Sequence, residues 1–139
     1  MGITPVNALG TIDQHSQAQL YLAGPSDKFF TFIFEKQKKS KKNLDCTYGQ
    51  DKNYHLLHNK SLNNLLICEL KSTIETLKQK KKPLRVIELD EINEKVIGSL
   101  MMFLFIETIF SCYFIDTDPF DQPAVEEGKI LTKKFLENE

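Results

Sequence analysis

Apolar residues at helical spacing dominate the middle of the chain. From about Ser61 to Lys80 they recur every three or four residues, which predicts one amphipathic helix. The lysines from Lys78 to Lys82 suit the negative pole at the end of such a helix, and Pro83 predicts that it stops there. The predicted apolar stripe consists of Leu62, Leu65, Leu66, Leu70, Ile74 and Leu77.

Two short apolar segments lack this spacing and predict strands. The segment from Phe29 to Phe34 is aromatic and β-branched, so we expect a strand that is buried on both faces. The segment from Leu84 to Leu89 predicts a second strand, in which apolar and polar residues alternate only loosely. Two strands are too few for a complete sheet. With four predicted helices, they indicate an α/β fold with an incomplete sheet, and hence a piece of a larger body.

A second long helix is predicted from Glu91 to about Phe110, with Asp90 as its cap. Its later half is apolar on nearly all sides. The uninterrupted apolar run from Ser99 to Ile106 is shorter than the roughly 20 residues of a membrane span, and Glu107 follows it directly. We therefore expect a helix buried in the centre of a larger body, and no contact with a membrane.

Shorter signals mark the two ends of the chain. Asp13 is the expected cap of a short helix from Gln14 to Leu22. Near the other end, a short apolar stretch from Cys112 to Ile115 is followed by a polar turn. The last helix is predicted from Pro123 to Leu136, because proline is favoured in a first helical turn.

Size, charge and cysteine content narrow the class of protein. The chain has 139 residues, of which 41% are hydrophobic and 27% charged, as in one folded domain or part of one. A net charge of -1 gives no overall attraction for nucleic acid. Cys46, Cys68 and Cys112 are an odd set without CxxC spacing, and the sequence predicts no secretory leader. We therefore expect reduced thiols and a cytoplasmic protein.

The basic residues are clustered in two runs. The first, from Lys36 to Lys42, lies in a polar segment from Glu35 to Asn53 that lacks periodicity and predicts a surface loop. The second is the run from Lys78 to Lys82 already assigned to a helix end. No aromatic residue interleaves either run to stack on bases, so nucleic-acid binding ranks last among the possible functions.

Three polar residues are candidates for chemistry. His15 follows a Gly-Thr turn and can exchange a proton near neutral pH, although histidines at such a helix start are more often plain surface residues. Lys129 lies on the last predicted helix with Glu126 on the same side, and its ammonium could polarise a substrate oxygen or simply be solvated. Gln122, just before that helix, could hold a phosphate or hydroxyl, or be a plain turn residue.

Metal and cofactor signatures are weak or missing. His55 and His58 have a spacing that can bind metal on one helical face, but no further ligand follows at a convincing interval, so no metal site is predicted. The sequence contains no P-loop, no dinucleotide-binding glycine motif and no nucleophile elbow. We expect no cofactor.

Two ordered motifs resemble the phosphoglucose isomerase family. The family's C-terminal signature, Phe-Asp-Gln-x-Gly/Ala-Val-Glu-x-x-Lys, is complete from Phe120 to Lys129, and the segment from Gly10 to His15 is similar to its Gly-Thr-x-x-Gln-His motif. The elements predicted between them follow the family's order, so the resemblance spans nearly all of residues 1–139. It implies the C-terminal part of a sugar isomerase (SIS) domain with a C-terminal helical segment. The implied fold is a flavodoxin-like α/β/α sandwich.

The resemblance also implies roles for the candidate residues. His15 matches the family histidine that takes part in opening the sugar ring, and Lys129 matches the lysine that assists near the ring oxygen. Gln122 matches a glutamine that helps to hold the phosphorylated sugar. The implied reaction interconverts glucose-6-phosphate and fructose-6-phosphate through a cis-enediol, without a cofactor, in an enzyme that works as a homodimer.

Other residues of the family's active site do not occur in this sequence. The glutamate base in a Glu-Ser-Asn-Gly-type motif, the arginine that stabilises the enediol and the phosphate-binding Ser/Thr cluster lie upstream of the histidine motif in the family. We therefore expect a C-terminal fragment, or a split or internally started reading frame, that is inactive alone. The alternative is a non-catalytic SIS-type module that binds sugar phosphates or mediates assembly. Cys112, Tyr113 and Phe114 depart from the small and aliphatic residues of the family, which affects packing more than chemistry.

Overall fold

The computed structural model describes residues 4–36, 43–44 and 56–138 of the chain. These residues divide into two compact units, each with its own architecture. We call residues 5–96 the sheet unit and residues 97–138 the helical unit. The predicted loop from Glu35 to Asn53 lies mostly outside the described residues, as do Cys46 and His55.

The described elements confirm the α/β character of the chain. In chain order they are α1 (Asp13–Ser16), α2 (Ala18–Ala23), β1 (Phe30–Glu35), α3 (Leu62–Gln79), β2 (Leu84–Leu89), α4 (Glu94–Phe114) and α5 (Pro123–Glu137). The division between the two units falls inside α4.

Strands β1 and β2 form a parallel pair, in a register that runs from Phe30 opposite Leu84 to Glu35 opposite Leu89. The Lys36 backbone N–H continues the pairing by donating to the Leu89 carbonyl at 2.7 Å. Parallel neighbours need a crossover connection, and α3 lies within it, so these elements form a βαβ unit.

The sequence predicts that β1 is buried on both faces, and this prediction is wrong for this chain. Phe30, Phe32 and Phe34 are half-buried, whereas Ile33 points to the other face and is 45% exposed. Val86 on β2 is similarly exposed at 43%. Parallel strands are normally covered by helices on both faces, and a sheet of two strands within the described residues has too little cover for that.

Helix α3 confirms the amphipathic prediction, and its C-terminal half holds the core of the sheet unit. It begins after Ser61, whose buried hydroxyl accepts a hydrogen bond from the Asn64 backbone N–H at 3.1 Å. Ile74 and Leu77 are the buried apolar residues of the described chain. Leu62, in the first turn, is more than half exposed although it belongs to the same predicted stripe.

The second lysine run forms the end of α3. Lys81 adopts a left-handed conformation (φ 55°), and the Lys82 backbone N–H donates to the Leu77 carbonyl at 3.0 Å, which closes the last turn. The Lys82 ammonium donates to the Ser26 hydroxyl at 2.8 Å. These contacts show that part of the lysine run closes the end of a helix, in agreement with the prediction.

The N-terminal helical segment differs from its prediction in two ways. It is not one helix from Gln14 to Leu22 but two short ones, because the chain breaks at Gln17. Asp13 is not the cap: Ile12 occupies that position, and Asp13 is the first helical residue. The Asp13 carboxylate instead accepts a hydrogen bond from the Leu9 backbone N–H at 2.5 Å.

Helix α4 starts later and ends later than predicted. Its first turn is closed by Asn93, whose side-chain oxygen accepts from the Val96 backbone N–H at 2.9 Å, and not by Asp90, which pairs with Lys36. The predicted apolar stretch after the helix is largely its last turn, which ends at Phe114. None of its residues is buried within the described chain. The expected burial in the centre of a larger body involves polypeptide beyond these residues and stays a prediction.

Helix α5 confirms the predicted last helix, with Pro123 in its first turn and its end at Glu137. Every residue of α5 is exposed. The helical unit therefore presents two long helices with much apolar surface and no buried residue among those described.

Candidate functional site

His15 lies in the short helix α1 of the sheet unit, and its side chain is exposed. Its backbone N–H donates weakly to the Ile12 carbonyl at 3.4 Å. An imidazole in this position is open to solvent and to any approaching ligand. Exposure by itself fits both the surface residue and the catalytic histidine that the sequence allows.

A chain of side-chain contacts anchors the helices that carry His15. The Gln17 amide donates to the Asp13 carboxylate at 3.0 Å, and the Tyr21 hydroxyl donates to the Gln17 side-chain oxygen. The Tyr21 ring then meets the Phe30 ring of β1 edge to face, with centroids 5.6 Å apart. Asp13, Gln17 and Tyr21 thus connect the α1–α2 segment to the sheet. The sequence analysis missed this connection, although the i, i+4 spacing of the three residues is its signal.

Gln122 precedes the first turn of α5 in the helical unit. Its backbone N–H donates to the Asp121 carboxylate at 2.8 Å, while its carbonyl accepts from the Val125 N–H at 3.0 Å. Within the described residues its side chain makes no capping hydrogen bond. The Gln122 amide is therefore not committed to closing the helix start.

The structure confirms that Lys129 lies close to Glu126, as the sequence predicts. Its ammonium donates to the Glu126 carboxylate at 2.5 Å, and both side chains are about 60% exposed. An exposed pair of this kind contributes on the order of 0–1 kcal/mol, so a ligand oxygen could replace the carboxylate at little cost.

Glu126 and Lys129 lie on one side of α5, three residues apart. Gln122 stands immediately before this helix, with a non-helical backbone (φ -134°, ψ 61°). The structure therefore pairs Lys129 with Glu126 and places Gln122 at the start of the same helix. His15 belongs to the other compact unit.

The described residues contain no group of three or more His, Cys, Asp or Glu side chains arranged to hold a metal ion. His58 is among them, whereas its predicted partner His55 lies outside. The described cysteines, Cys68 and Cys112, are free thiols.

By length and composition, one described helix could cross a membrane: α4, with 21 residues. The core helix of a larger soluble protein passes the same test. Helix α4 also contains Glu107 near its middle, and a carboxylate at the centre of a bilayer is costly. Length and composition fit both kinds of helix, and Glu107 favours the core helix.

Comparison with solved structures shows where this fold recurs. The crystal structure of a hypothetical protein from Thermus thermophilus matches 97% of this chain with a TM-score of 0.84 and 34% sequence identity. The match covers 32% of that longer chain. The α/β elements described above therefore recur as a portion of a larger protein.

Comparison with curated proteins gives the relatives' name. The chain is 37% identical over all 139 residues to the glucose-6-phosphate isomerase of Carboxydothermus hydrogenoformans. It is also 37% identical over 135 residues, 97% of its length, to the probable glucose-6-phosphate isomerase of Methanococcus maripaludis. These relatives confirm the resemblance carried by the two motifs. The chain spans about 30% of the length of either relative, so it is similar to a portion of them. No protein-family model matches it.

Proposed function

We propose that this chain is the C-terminal portion of a glucose-6-phosphate isomerase, which interconverts glucose-6-phosphate and fructose-6-phosphate when complete. The observation that carries the proposal is the 37% identity across all 139 residues with a protein of that name. Within this proposal the chain is part of a SIS-type α/β/α sandwich. The open faces of its two-stranded sheet support that reading, because further layers would cover them.

In this proposal α5 supplies the substrate-holding edge of the site. The Gln122 amide binds the phosphorylated sugar, and the Lys129 ammonium donates a hydrogen bond to the ring oxygen while the ring opens. The position of Gln122 at the start of the helix that carries Lys129 supports this pairing. Glu126 holds the ammonium in place before substrate arrives, through the exposed 2.5 Å contact.

His15 exchanges the proton that ring opening requires. Its exposed side chain supports a role in which the imidazole enters the site of a neighbouring subunit, as the resemblance implies for a homodimer. The contacts of Asp13, Gln17 and Tyr21 hold the helical segment, so they position His15 without touching the substrate. The reaction needs no cofactor, and the proposed location is the cytoplasm.

The proton transfer between the two sugar carbons needs a glutamate base, and the 139 residues contain no Glu-Ser-Asn-Gly-type motif. We therefore expect these residues alone to show no isomerase activity. Isomerisation by the purified chain at ordinary enzyme rates would contradict this part of the proposal.

The test is a chimera in which this chain replaces the matching portion of the Carboxydothermus hydrogenoformans isomerase. We expect the chimera to isomerise glucose-6-phosphate. Lys129→Met should lower kcat/KM by about 100-fold or more, the usual effect of losing a positioned proton donor. The matched control is Lys133→Met, one turn further along the same helix, which should leave activity unchanged.

His15→Asn has its own diagnostic in this chimera. Its loss should be larger with the ring-closed sugar phosphate than with an aldose phosphate too short to close a ring, because only the first needs ring opening. Equal losses on both substrates would count against the assigned role. A folded chimera that binds sugar phosphate without turning it over would favour the alternative, a non-catalytic SIS-type module.

A further inference from the structure

His15 lies on a helix that is too short to be stable by its backbone alone. Helix α1 consists of the four residues Asp13–Ser16. The Gln17 backbone N–H donates to the Asp13 carbonyl at 3.1 Å, whereas the His15 N–H reaches the Ile12 carbonyl only at 3.4 Å. A single helical turn does not form by itself in water, because ordering its backbone costs more than its few hydrogen bonds return. The position of the imidazole therefore depends on side-chain contacts.

The carboxylate of Asp13 ties the chain down before α1. The Asp13 backbone N–H donates to the Leu9 carbonyl at 2.9 Å, and the Leu9 N–H donates to the Asp13 Oδ2 at 2.5 Å. These two hydrogen bonds run in opposite directions between the same two residues, so they fix the turn that leads into the helix. A hydrogen bond to an ionised carboxylate is also stronger than one between neutral groups.

The second carboxylate oxygen of Asp13 ties the chain down after α1. Its Oδ1 accepts from the Gln17 side-chain amide at 3.0 Å and from the Ser16 hydroxyl at 3.3 Å. One carboxylate thus binds the chain on both sides of the histidine. An ionised carboxylate suits this position, because both of its oxygens accept and neither donates.

We call residues 9–17, closed in this way, the Asp13 loop. The Tyr21 hydroxyl donates to the Gln17 side-chain oxygen, and the Tyr21 ring contacts Phe30 on β1. These contacts attach the loop to the sheet, but they all lie on one side of His15 along the chain. The Asp13 contacts, in contrast, lie on both sides of it.

We propose that Asp13 is the positioning residue for His15 in the opening of the sugar ring. Its carboxylate fixes the Asp13 loop and thereby holds the imidazole where it can exchange a proton with the substrate. This inference rests on the proposed function and deepens it, because it assigns the position of His15 to one carboxylate. Asp13 touches no substrate and carries no proton in the reaction. A catalytic group misplaced by about 1 Å can lose about 100-fold in rate, so loosening the loop should be measurable.

The first experiment places Asp13→Asn in the chimera with the Carboxydothermus hydrogenoformans isomerase. The introduced amide keeps the size of the carboxylate, but it can accept on one side only, because its nitrogen is a donor. We expect kcat for ring-closed glucose-6-phosphate to fall at least about tenfold, with KM changed less than about twofold. Turnover of an aldose phosphate too short to close a ring should fall less than about threefold, because it needs no ring opening. Equal losses on both substrates, or a change in KM alone, would overturn the proposal.

A second substitution should rescue this variant by reversing a hydrogen bond. In Asp13→Asn combined with Gln17→Glu, the introduced amide donates to the introduced carboxylate, which can still accept from the Tyr21 hydroxyl. We expect the double variant to regain most of the lost kcat on the ring-closed sugar. Gln17→Glu alone should be impaired, because it sets two carboxylates against each other. A double variant no better than Asp13→Asn would count against the proposal.

The matched control is Asp27→Asn, the same change at another exposed aspartate of the sheet unit. The Asp27 carboxylate pairs with the Lys28 ammonium at 2.5 Å, before β1 begins. This variant should turn over both substrates as the parent chimera does. A loss on the ring-closed sugar as large as that of Asp13→Asn would show that the effect is not specific to the Asp13 loop.

The second measurement does not depend on activity. Hydrogen exchange in the chimera, followed by mass spectrometry, should be at least about tenfold faster over residues 9–17 in Asp13→Ala than in the parent, and unchanged over β1. Unchanged exchange in both segments would overturn the proposal. Faster exchange in both would also overturn it, because Asp13 would then support the whole sheet unit.

The two proposals fail separately. An active chimera whose Asp13→Asn variant keeps full activity would sustain the proposed function and overturn the role of Asp13. A folded parent chimera that isomerises nothing would count against the proposed function and with it against any role in ring opening. The exchange measurement would still show in that case whether Asp13 closes the loop.

Discussion

The sheet unit and the helical unit differ in how far they bury their apolar residues. The sheet unit pairs two parallel strands and buries Ile74 and Leu77, although it carries many charges. The helical unit contains most of α4, the most apolar element of the chain, and buries none of its described residues. The apolar sequence pattern decides which surface of an element has to be buried, but burial requires a second element that packs against that surface. In α4 and α5 that element is not among the described residues.

The largest expected effect tests whether this difference in burial is also a difference in the free energy that each unit contributes to folding. Leu77→Ala removes a side chain that is only 3% exposed, and we expect it to lower the free energy of unfolding by about 2–5 kcal/mol. Met102→Ala, at a residue of α4 that is 58% exposed, should change it by less than about 0.5 kcal/mol in the isolated chain. Urea unfolding followed by circular dichroism measures both, since the chain has no tryptophan. Similar losses for both variants would show that the helical unit is packed in solution.

Helix starts offer a second contrast between the units. Ser61→Ala removes the cap of α3 and leaves the Asn64 N–H without its acceptor, which should cost about 1 kcal/mol. Gln122→Ala at the start of α5 should cost close to nothing, because its side chain caps no N–H in the described structure. The same unfolding measurement applies. A clear loss for Gln122→Ala would indicate a structural role and weaken its assignment to substrate.

A third variant should stabilise the chain. Gly128→Ala replaces a helical glycine whose added Cβ would meet nothing within 4 Å, so we expect a gain of about 0.5–1 kcal/mol for the isolated chain. Helical content by circular dichroism should rise with it. A loss of stability would mean that α5 is already closely packed by another element in solution.

The smallest effect concerns the exposed pair of Lys36 and Asp90 beyond the strand ends. The Asp90 carboxylate raises the pKa of Lys36, first through its hydrogen bond to the ammonium and then through its charge. A raised pKa in the folded chain means that the pair stabilises below the ordinary lysine pKa and that the effect is lost as the pH rises through the folded value. Lys36→Met should therefore be slightly less stable than the parent chain near neutral pH. The two chains should converge once the pH passes the raised pKa of Lys36, and a constant difference would contradict the assigned cause.

Local pattern predicted the elements well where it was strongly periodic. The helix over α3 and the strand from Leu84 to Leu89 are confirmed, because their spacing and the flanking Pro83 leave few alternatives. Helix starts were less predictable. Asp13 and Asp90 both have the chemistry of a cap, but Asp13 bonds to the Leu9 backbone and Asp90 pairs with Lys36. Which of several polar residues caps a helix depends on distances of a few ångströms that a single sequence does not contain.

The candidate residues divide in a similar way. The i, i+3 spacing predicts that Glu126 and Lys129 lie on the same side of the last helix, and the 2.5 Å contact between them confirms this proximity. The contacts that anchor the segment of His15 involve Phe30 on β1, which follows it only after a turn. The catalytic roles of His15 and Lys129 stay predictions, because they depend on residues outside this chain.

The sequence by itself determined which segments form helices and strands, because periodicity and turn residues act over a few neighbours. It also carried the two motifs that indicate an isomerase portion. Only the tertiary structure decided that β1 and β2 pair in parallel, that burial concentrates at Ile74 and Leu77, and that α4 has no buried residue within the described chain. These properties depend on what lies across from a residue in space, and in this chain the facing surface of the apolar helices is absent from the described residues.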